Sequence, residues 1–250
     1  MTYIVDVSDN RNKIIASELE KRLLKVKFYP ETAENGDTYI FSPAKKWNKA
    51  EAECLTNCTT VICGKISEEI SEIFKHKQIK HINLMNDEIF TVKNANLTAE
   101  GVLSLLIEHS PKSMFENNVL ILGAGRIAKA LAILFSKLGI NFSMVRYNKE
   151  KFPECYTFCD NCYLGEEFKK DIAKYDVIIN TIPQVLFTLE DLEMFANDTV
   201  FIETASIDCL DRSKVKNFDF VPAPALPQRY CQVSAAKIML ESILGENNHV

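Results

Sequence analysis

The chain has 250 residues, of which 47% are hydrophobic and 25% charged, the balance of an ordinary globular protein with one large or two small domains. The formal net charge is -5 and no basic cluster lies on a predicted face, which argues against a nucleic-acid partner. No apolar run reaches membrane-spanning length, and the first residues do not form a secretory signal. We therefore expect a cytoplasmic protein in which the eight cysteines are reduced.

The first 95 residues alternate between short apolar runs and helical patterns. Ile15, Leu19 and Leu23 recur at helical spacing, and Ser67 is a suitable N-cap for a later helix. The runs that predict strands are 2–7, 26–29, 38–41, 60–63 and 81–84. This alternation is typical of a parallel sheet with helices on both faces, here a flavodoxin-like domain over residues 1–95. Because no glycine-rich phosphate loop follows its strands, we predict a substrate-side or docking domain.

Three cysteines fall in this first domain. Cys54 and Cys58 share the face of a predicted helix, a pattern that could suggest a metal ion. Cys63, however, ends a predicted buried strand, and no histidine lies at ligand spacing nearby. We interpret all three as core cysteines.

A connecting helix is predicted over residues 96–111. Asn96 or Thr98 can cap it, Glu100 in the first turn suits the helix dipole, and Pro111 ends it. At a helix start, Thr98 and Glu100 would lie at the mouth of any cleft between two domains. They are therefore candidates for ligand contact as well as for capping.

The segment from Asn118 to Ala128 carries the strongest motif of the chain. Four apolar residues run into Gly-Ala-Gly, and a helical pattern follows. This is the dinucleotide-binding fingerprint, in which the first glycine makes the turn, the second lets a pyrophosphate approach the backbone, and a small third residue lets the helix pack on the strand. The alternative is a degenerate Rossmann fold without a ligand. The residues predicted to bind the cofactor here are Gly123, Ala124, Gly125, Arg126 and Ile127.

The strand after this helix ends in Arg146-Tyr147 rather than in the acidic residue usual at an NAD ribose. A cation at this position can pair with a 2′-phosphate, and a guanidinium can also stack on adenine. We therefore predict NADP rather than NAD, with Arg146 and Tyr147 as cofactor-binding residues. The alternative is an ordinary surface arginine.

Cys155, Cys159 and Cys162 have the three-then-two spacing of the iron–sulfur triplet of radical SAM enzymes. Such a triplet belongs early in a partial barrel, whereas here it follows the second strand of a Rossmann unit. We predict unliganded thiols and no metal site.

Three further strands are predicted at 176–183, 199–202 and 218–221, which completes a Rossmann domain over residues 112–231. The loop after the first of them passes the nicotinamide ribose in Rossmann enzymes, which makes Asn180, Thr181 and Pro183 cofactor-binding candidates. Polar residues after the later strands converge on the same edge, where substrates bind; they are Ser206, Pro224 and Arg229. Residues 232–250 are predicted to form a closing helix that packs on the first domain and then frays.

Together these segments resemble the bacterial dipicolinate synthase A-subunit family, in the family's order and over about residues 94–244. The matching pieces are Asn94-Ala95, Thr98-Ala99-Glu100-Gly101, Gly123-Ala124-Gly125-Arg126, Arg146, Asn180-Thr181-Ile182-Pro183, Ala205-Ser206 and Ala223-Pro224-Ala225-Leu226-Pro227. The resemblance implies a flavodoxin-like and a Rossmann domain, a nicotinamide cofactor, and oxidation of a dihydrodipicolinate to dipicolinate during sporulation. It also implies a flavoprotein-like partner, the family's B-subunit. The chain departs from the family on the substrate side, at Glu203, Ala225, Gln228 and Val233.

Two functions are consistent with these residues. In the first, the chain is an oxidoreductase in which Thr98, Ser206 and Arg229 hold a small dicarboxylate while Glu100 moves a proton. Pro224 completes the predicted substrate site, and Glu100 and Ser206 form its catalytic part. In the second, the chain is an NADP-binding regulatory or scaffold subunit without turnover. The substrate, the direction of hydride transfer and the oligomeric state, including a homo-oligomer, remain open.

Overall fold

The computed structural model describes residues 1–34, 36–55, 59–215 and 217–246. The chain divides into two compact units, one formed by residues 1–94 and 227–250 and the other by residues 95–226. The predicted helix face of Cys58 and the predicted fraying of residues 247–250 lie outside the described residues.

The first unit contains a five-stranded parallel sheet in the order β2-β1-β3-β4-β5. Its strands are β1 (Thr2–Val5), β2 (Lys25–Phe28), β3 (Thr38–Ile40), β4 (Thr60–Cys63) and β5 (Lys80–Asn83). Its helices are α1 (Asn10–Lys21), α2 (Lys49–Cys54), α3 (Glu68–His76) and, from the end of the chain, α8 (Gln232–Ile243). This strand order is that of a flavodoxin-like domain.

Both faces of this sheet are buried, because successive side chains of a strand point to opposite faces. Val5 packs with Ile15 of α1 and Met239 of α8 on one face. Ile4, the preceding residue, packs with Phe74 of α3 on the other. Helices therefore cover both faces, as the alternation of strands and helices predicts.

The second unit contains a six-stranded parallel sheet in the order β11-β10-β9-β6-β7-β8. Its strands are β6 (Val119–Leu122), β7 (Phe142–Arg146), β8 (Cys162–Leu164), β9 (Val177–Asn180), β10 (Val200–Glu203) and β11 (Asp219–Pro222). Among its described residues, the α-helices that lie wholly in this unit are α5 (Arg126–Leu138) and α6 (Leu189–Glu193). The order is that of the dinucleotide-binding Rossmann sheet, so the fold class expected from the sequence is confirmed for both units.

Two elements of the second unit differ from their predictions. The segment predicted as an α-helix from Glu166 is a 3-10 helix over Glu167–Lys174, anchored by the buried Phe168 and Ile172. The short edge strand β8 is not predicted from the sequence, because a run of three residues is too short to indicate a strand; all three are half-buried. It pairs with β7 from Met144 onward and so extends the sheet beyond the predicted ribose site.

The connecting helix predicted over residues 96–111 is part of a longer helix, α4 (Glu88–His109). Its predicted start is therefore wrong, because the helix begins eight residues earlier. Its first N–H groups are capped by Asp87, which accepts a hydrogen bond from the backbone N–H of Phe90 at 3.0 Å. A short helix α7 (Leu226–Tyr230) precedes α8. Among the described residues, no helix combines the length and the apolar character that membrane spanning requires.

Candidate functional site

The turn between β6 and α5 has the backbone that the glycine motif predicts. Gly123 has a φ of +114°, and a Cβ at this position would overlap the hydroxyl oxygen of Thr181. A Cβ on Gly125, by contrast, would meet nothing within 4 Å. Gly123 is therefore required by the turn itself, whereas the space beside Gly125 is left open for something other than protein.

The start of α5 fits a phosphate group. Gly125 is its N-cap residue and supplies no side-chain hydrogen bond to the first turn. Helix N-termini attract anions because their first N–H groups point outward and the helix dipole is positive there. Ala128 is completely buried, as close packing of the helix on the sheet requires. Gly125 and Arg126 are exposed, and Ala124 and Ile127 half-buried, so the predicted cofactor residues of this turn are accessible.

Arg146 ends β7, next to β6 in the sheet. Its Nη1 donates to Oε2 of Glu154 at 2.9 Å, and its side chain is only 13% exposed. Burial raises the pKa of the neighbouring Tyr147 to about 12, with the carboxylates of Glu166 and Asp191 adding to the shift. The Tyr147 hydroxyl therefore stays protonated at neutral pH and can donate a hydrogen bond.

A buried hydrogen-bond network joins the ends of β9 and β10. The Nδ2 of Asn180 donates to both carboxylate oxygens of Glu203, at 2.8 and 3.0 Å. The same carboxylate accepts the backbone N–H of Ala205 at 2.9 Å and of Cys209 at 3.1 Å. Burial raises the pKa of the Cys209 thiol, and the charge of Glu203 raises it further. Glu203 therefore holds the loop after β10 in place from inside.

This network corrects the role expected of Asn180. Its side chain is fully buried; besides Glu203, the Nδ2 donates to the backbone oxygen of Ile182, while the Oδ1 accepts the N–H of that same residue. The amide therefore has protein partners for both its nitrogen and its oxygen. It positions the loop after β9 and has no exposed surface with which to contact a cofactor. Thr181 donates to the backbone oxygen of Leu122 at 2.8 Å, which leaves its half-exposed hydroxyl oxygen able to accept. Pro183 is exposed.

The predicted substrate residues of the later part of the chain follow strands β10 and β11. Ser206, after β10, and Pro224, after β11, are both exposed in the second unit. Arg229 is an exposed residue of α7 with its guanidinium 4.9 Å from the ring centre of Tyr230. Ala225 has a φ of +52°, a left-handed conformation that favours glycine. The loop therefore keeps the backbone of a glycine although the side chain is alanine.

Thr98 and Glu100 do not lie at a helix start. Both are in the interior of α4, where the backbone N–H groups are engaged in helical hydrogen bonds. Thr98 is buried and Glu100 is exposed. The predicted helix start at these residues is therefore wrong, and any contact of the two side chains with a ligand stays a prediction.

The late cysteines lie close together. The sulfur atoms of Cys159 and Cys162 are 3.6 Å apart, and Cys155 is buried in the same segment. Burial raises the pKa of Cys162, and the neighbouring thiol of Cys159 adds to the shift. Within the described ranges, no group of three or more potential ligands has a geometry that would hold a metal ion.

Glu154 and Glu203 were missed as functional residues. Glu203 is visible in the sequence only as a departure from the family, and its partner Asn180 lies 23 positions earlier. Glu154 follows Arg146 by eight positions, in a loop without periodic pattern. The segment from Tyr147 to Glu154 carries two lysines and two glutamates, so its charge does not single out Glu154.

Comparison with known proteins places the fold. No protein-family model matches the chain. It is 24% identical over 201 residues to the dipicolinate synthase A-subunit of Bacillus subtilis (strain 168), a match that covers 80% of this chain and 67% of that protein. The crystal structure of the dipicolinate synthase A-subunit from Bacillus halodurans superposes with a TM-score of 0.84 at 17% identity, over 100% of this chain and 98% of the other. An L-alanine dehydrogenase superposes with a TM-score of 0.68 at 12% identity, over 99% and 89%.

The two sheets and the glycine turn thus define a two-domain α/β protein with a Rossmann-type second sheet, and this fold is shared with the dipicolinate synthase A-subunit and with L-alanine dehydrogenase. In sequence the chain is similar to the dipicolinate synthase A-subunit, and the resemblance indicated by its motifs is confirmed.

Proposed function

We propose that this chain is an NADP-dependent oxidoreductase that oxidises a dihydrodipicolinate-type dicarboxylate, as the names of its relatives suggest. The observation that carries the proposal is the turn from β6 to α5. It combines an open position beside Gly125 with a helix start that no side chain caps. These are the features that a dinucleotide pyrophosphate requires.

When bound, NADP supplies the hydride acceptor. The protein's contribution is to bind and orient the reactants and to handle a proton. Glu100 is proposed to take up the proton, and Ser206 to contact the reacting part of the substrate. Arg229 is proposed to bind a substrate carboxylate, because a guanidinium and a carboxylate form paired, charge-assisted hydrogen bonds. Thr98 and Pro224 are proposed to complete the substrate contacts.

A coupled assay tests the reaction directly. Formation of NADPH from NADP and a dihydrodipicolinate-type substrate is followed by its absorbance, with and without a flavoprotein-like partner subunit. Turnover by the chain alone, or with the partner, supports the oxidoreductase. Binding of NADP with no turnover under either condition would contradict it.

Arg229→Ala tests the substrate side. We expect weaker dicarboxylate binding by about 10- to 100-fold, because a charge-assisted contact contributes about 1.5–3 kcal/mol, while NADP affinity stays unchanged. Arg22→Ala is the control, since it removes an equal charge from the end of α1, where Arg22 pairs with Glu246. Equal loss of dicarboxylate and NADP affinity in Arg229→Ala would contradict the assignment.

A second function, an NADP-binding regulatory or scaffold subunit, is favoured by one specific set of observations. The departures at Glu203, Ala225, Gln228 and Val233 all fall on the substrate side. The turn that would bind the nucleotide keeps its pattern. The coupled assay above separates the two functions, because the regulatory subunit would bind NADP without producing NADPH.

A further inference from the structure

The guanidinium proposed to bind the 2′-phosphate of NADP is engaged by a carboxylate of the same chain. Nη1 of Arg146 and Oε2 of Glu154 are 2.9 Å apart. The same Oε2 lies 3.8 Å from Nζ of Lys129, on α5. Two cations from two different elements therefore face one acidic side chain at the end of β7.

Glu154 is held in this position by its own local structure. It belongs to a 3-10 helix over Phe152–Thr157. The hydroxyl of Thr157 donates to its backbone oxygen at 2.7 Å, and its own N–H donates to the backbone oxygen of Lys151 at 3.1 Å. Asn148 in turn accepts the N–H of Lys151 at 2.9 Å. The carboxylate thus comes from an ordered turn that directly follows β7.

The two partners of the pair differ in how freely they can move. The side chain of Arg146 is 13% exposed, whereas that of Glu154 is 49% exposed. The carboxylate can therefore turn into water at little cost, while the guanidinium stays beside the sheet. A half-exposed ion pair of this kind contributes little to stability, so a more highly charged anion can displace it.

We propose that Glu154 is a specificity-determining residue that competes with the 2′-phosphate of NADP for Arg146. This inference rests on the proposed function. With Glu154 in place, the charge of Arg146 is partly neutralised, and the preference for NADPH over NADH that Arg146 provides is reduced but not abolished. Displacement of Glu154 by the phosphate frees the guanidinium for paired hydrogen bonds.

The test compares nucleotide affinities by fluorescence titration with NADPH and with NADH. Glu154→Gln should bind NADPH about three- to tenfold more tightly than the unmodified chain, because both the competing charge and its repulsion of the phosphate are removed. The affinity for NADH should change by less than about twofold, because NADH carries no 2′-phosphate. A thermal unfolding curve verifies that the exposed substitution leaves the fold intact.

Two matched variants sharpen the test. Glu150→Gln removes the same charge from an exposed position in the same loop and should change NADPH affinity by less than about twofold. In an Arg146→Ala background, the gain from Glu154→Gln should fall to less than about twofold, since the residue for which it competes is absent and only the repulsion of the phosphate is relieved. A gain of equal size in either case would show a general charge effect and would overturn the inference.

The remaining outcomes separate this inference from the proposed function. If both nucleotides bind and Glu154→Gln leaves NADPH affinity unchanged, the inference fails and the proposed function stands. The same holds if the substitution weakens NADH alone, because Glu154 would then bind the ribose itself. If neither nucleotide binds the unmodified chain at millimolar concentration, the proposed function fails and the inference with it.

Discussion

The two sheets of this molecule have the same kind of position where a ligand would be expected, and they treat it differently. In each sheet, the strand that follows the first one in the chain is added on one side of it, and a later strand is added on its other side. We call the point where the strand order reverses the crossing. The crossing lies between β1 and β3 in the first unit and between β6 and β9 in the second. Ligands of open α/β sheets bind at such points, outside the carboxyl ends of the strands.

In the first unit this position is filled by side chains. Asp9 caps α1 by accepting the N–H of Arg11 at 2.9 Å. Nη2 of Arg11 then donates to Oδ2 of Asp9 at 2.6 Å and to Oγ of Ser42, after β3, at 3.2 Å. In the second unit the corresponding helix start has only Gly125 and no side-chain cap. One crossing is closed by an internal ion pair, and at the other no side chain caps the helix start.

The largest expected effect comes from removing the buried ion pair between Arg11 and Asp9 in the first unit. Arg11→Ala should lower the free energy of unfolding by about 3–5 kcal/mol, because it leaves Asp9 buried without its partner. The side chains of Arg11 and Asp9 are only 6% and 4% exposed, so water cannot replace the lost contact. Urea unfolding monitored by circular dichroism measures the change.

The matched control replaces both partners. Asp9→Asn with Arg11→Met keeps a capping side chain and removes both charges, so most of the stability should return. A loss as large as that of Arg11→Ala alone would mean that Arg11 acts through packing. NADP affinity should remain unchanged in both variants, since the glycine turn belongs to the other unit.

The same pair predicts a pH dependence. Burial alone would raise the pKa of Asp9, but the hydrogen bond and the charge of Arg11 outweigh it, and the pKa lies below its usual value. Stability from Asp9 is therefore fully present above about pH 4, the unfolded pKa, and is lost as the pH falls through the folded pKa. Arg11→Ala should lose this acid sensitivity, because burial then favours the protonated carboxyl.

The difference between the two crossings explains what the sequence could predict. The glycine turn was predictable because its pattern is local: strand, Gly123, Gly125 and helix follow one another directly. The closure of the first unit was not, since Arg11 and Ser42 are 31 positions apart and neither belongs to a motif. The missing glycine loop of the first unit is visible in its sequence, but it did not reveal that Asp9 and Arg11 fill this position.

The start of α4 was missed for a related reason. Asn96 and Thr98 are good capping residues, so the sequence favoured a helix start there. In the structure, however, Ala95, Ala99 and Val102 are buried at helical spacing. Their packing keeps the helix continuous through residues with weak helix propensity, and Asp87 becomes the cap.

The buried network of the second unit gives the next largest effect. Glu203→Ala should cost about 2–4 kcal/mol, because it leaves two backbone N–H groups without an acceptor and the amide of Asn180 with only the backbone oxygen of Ile182. Glu203→Gln should cost less, since one oxygen still accepts. If Glu203→Ala unfolds at the same urea concentration as the unmodified chain, the network does not hold this loop.

Gly123 and Gly125 should respond differently to substitution. The difference tests whether a nucleotide binds at the turn between β6 and α5. Gly123→Ala should destabilise the fold by about 2 kcal/mol or more, because of its positive φ and the overlap with Thr181. Gly125→Val should leave the unfolding midpoint within about 1 °C but weaken NADP by at least about tenfold, because its side chain takes the place of the pyrophosphate. Unchanged NADP affinity in Gly125→Val would show that the nucleotide does not bind at this turn.

The smallest effect concerns the loop after β11, where the chain departs from the family that it resembles. Ala225 adopts a φ of +52°, which costs an L-residue about 1–2 kcal/mol relative to the right-handed region. Ala225→Gly should therefore raise the free energy of unfolding by about 0.5–1 kcal/mol, since glycine's greater freedom in the unfolded chain offsets part of the gain. For a chain of this size the midpoint should rise by about 1–4 °C.

Ala225→Val is the opposite variant at the same position. A β-branched side chain fits a positive φ poorly, so this variant should melt below the unmodified chain. Differential scanning calorimetry of the three proteins should rank them glycine, alanine, valine. A fall in the midpoint of Ala225→Gly would mean that the alanine methyl contributes packing that outweighs the backbone cost. The departure from the family would then stabilise this loop, whereas the backbone argument makes it a small, tolerated loss.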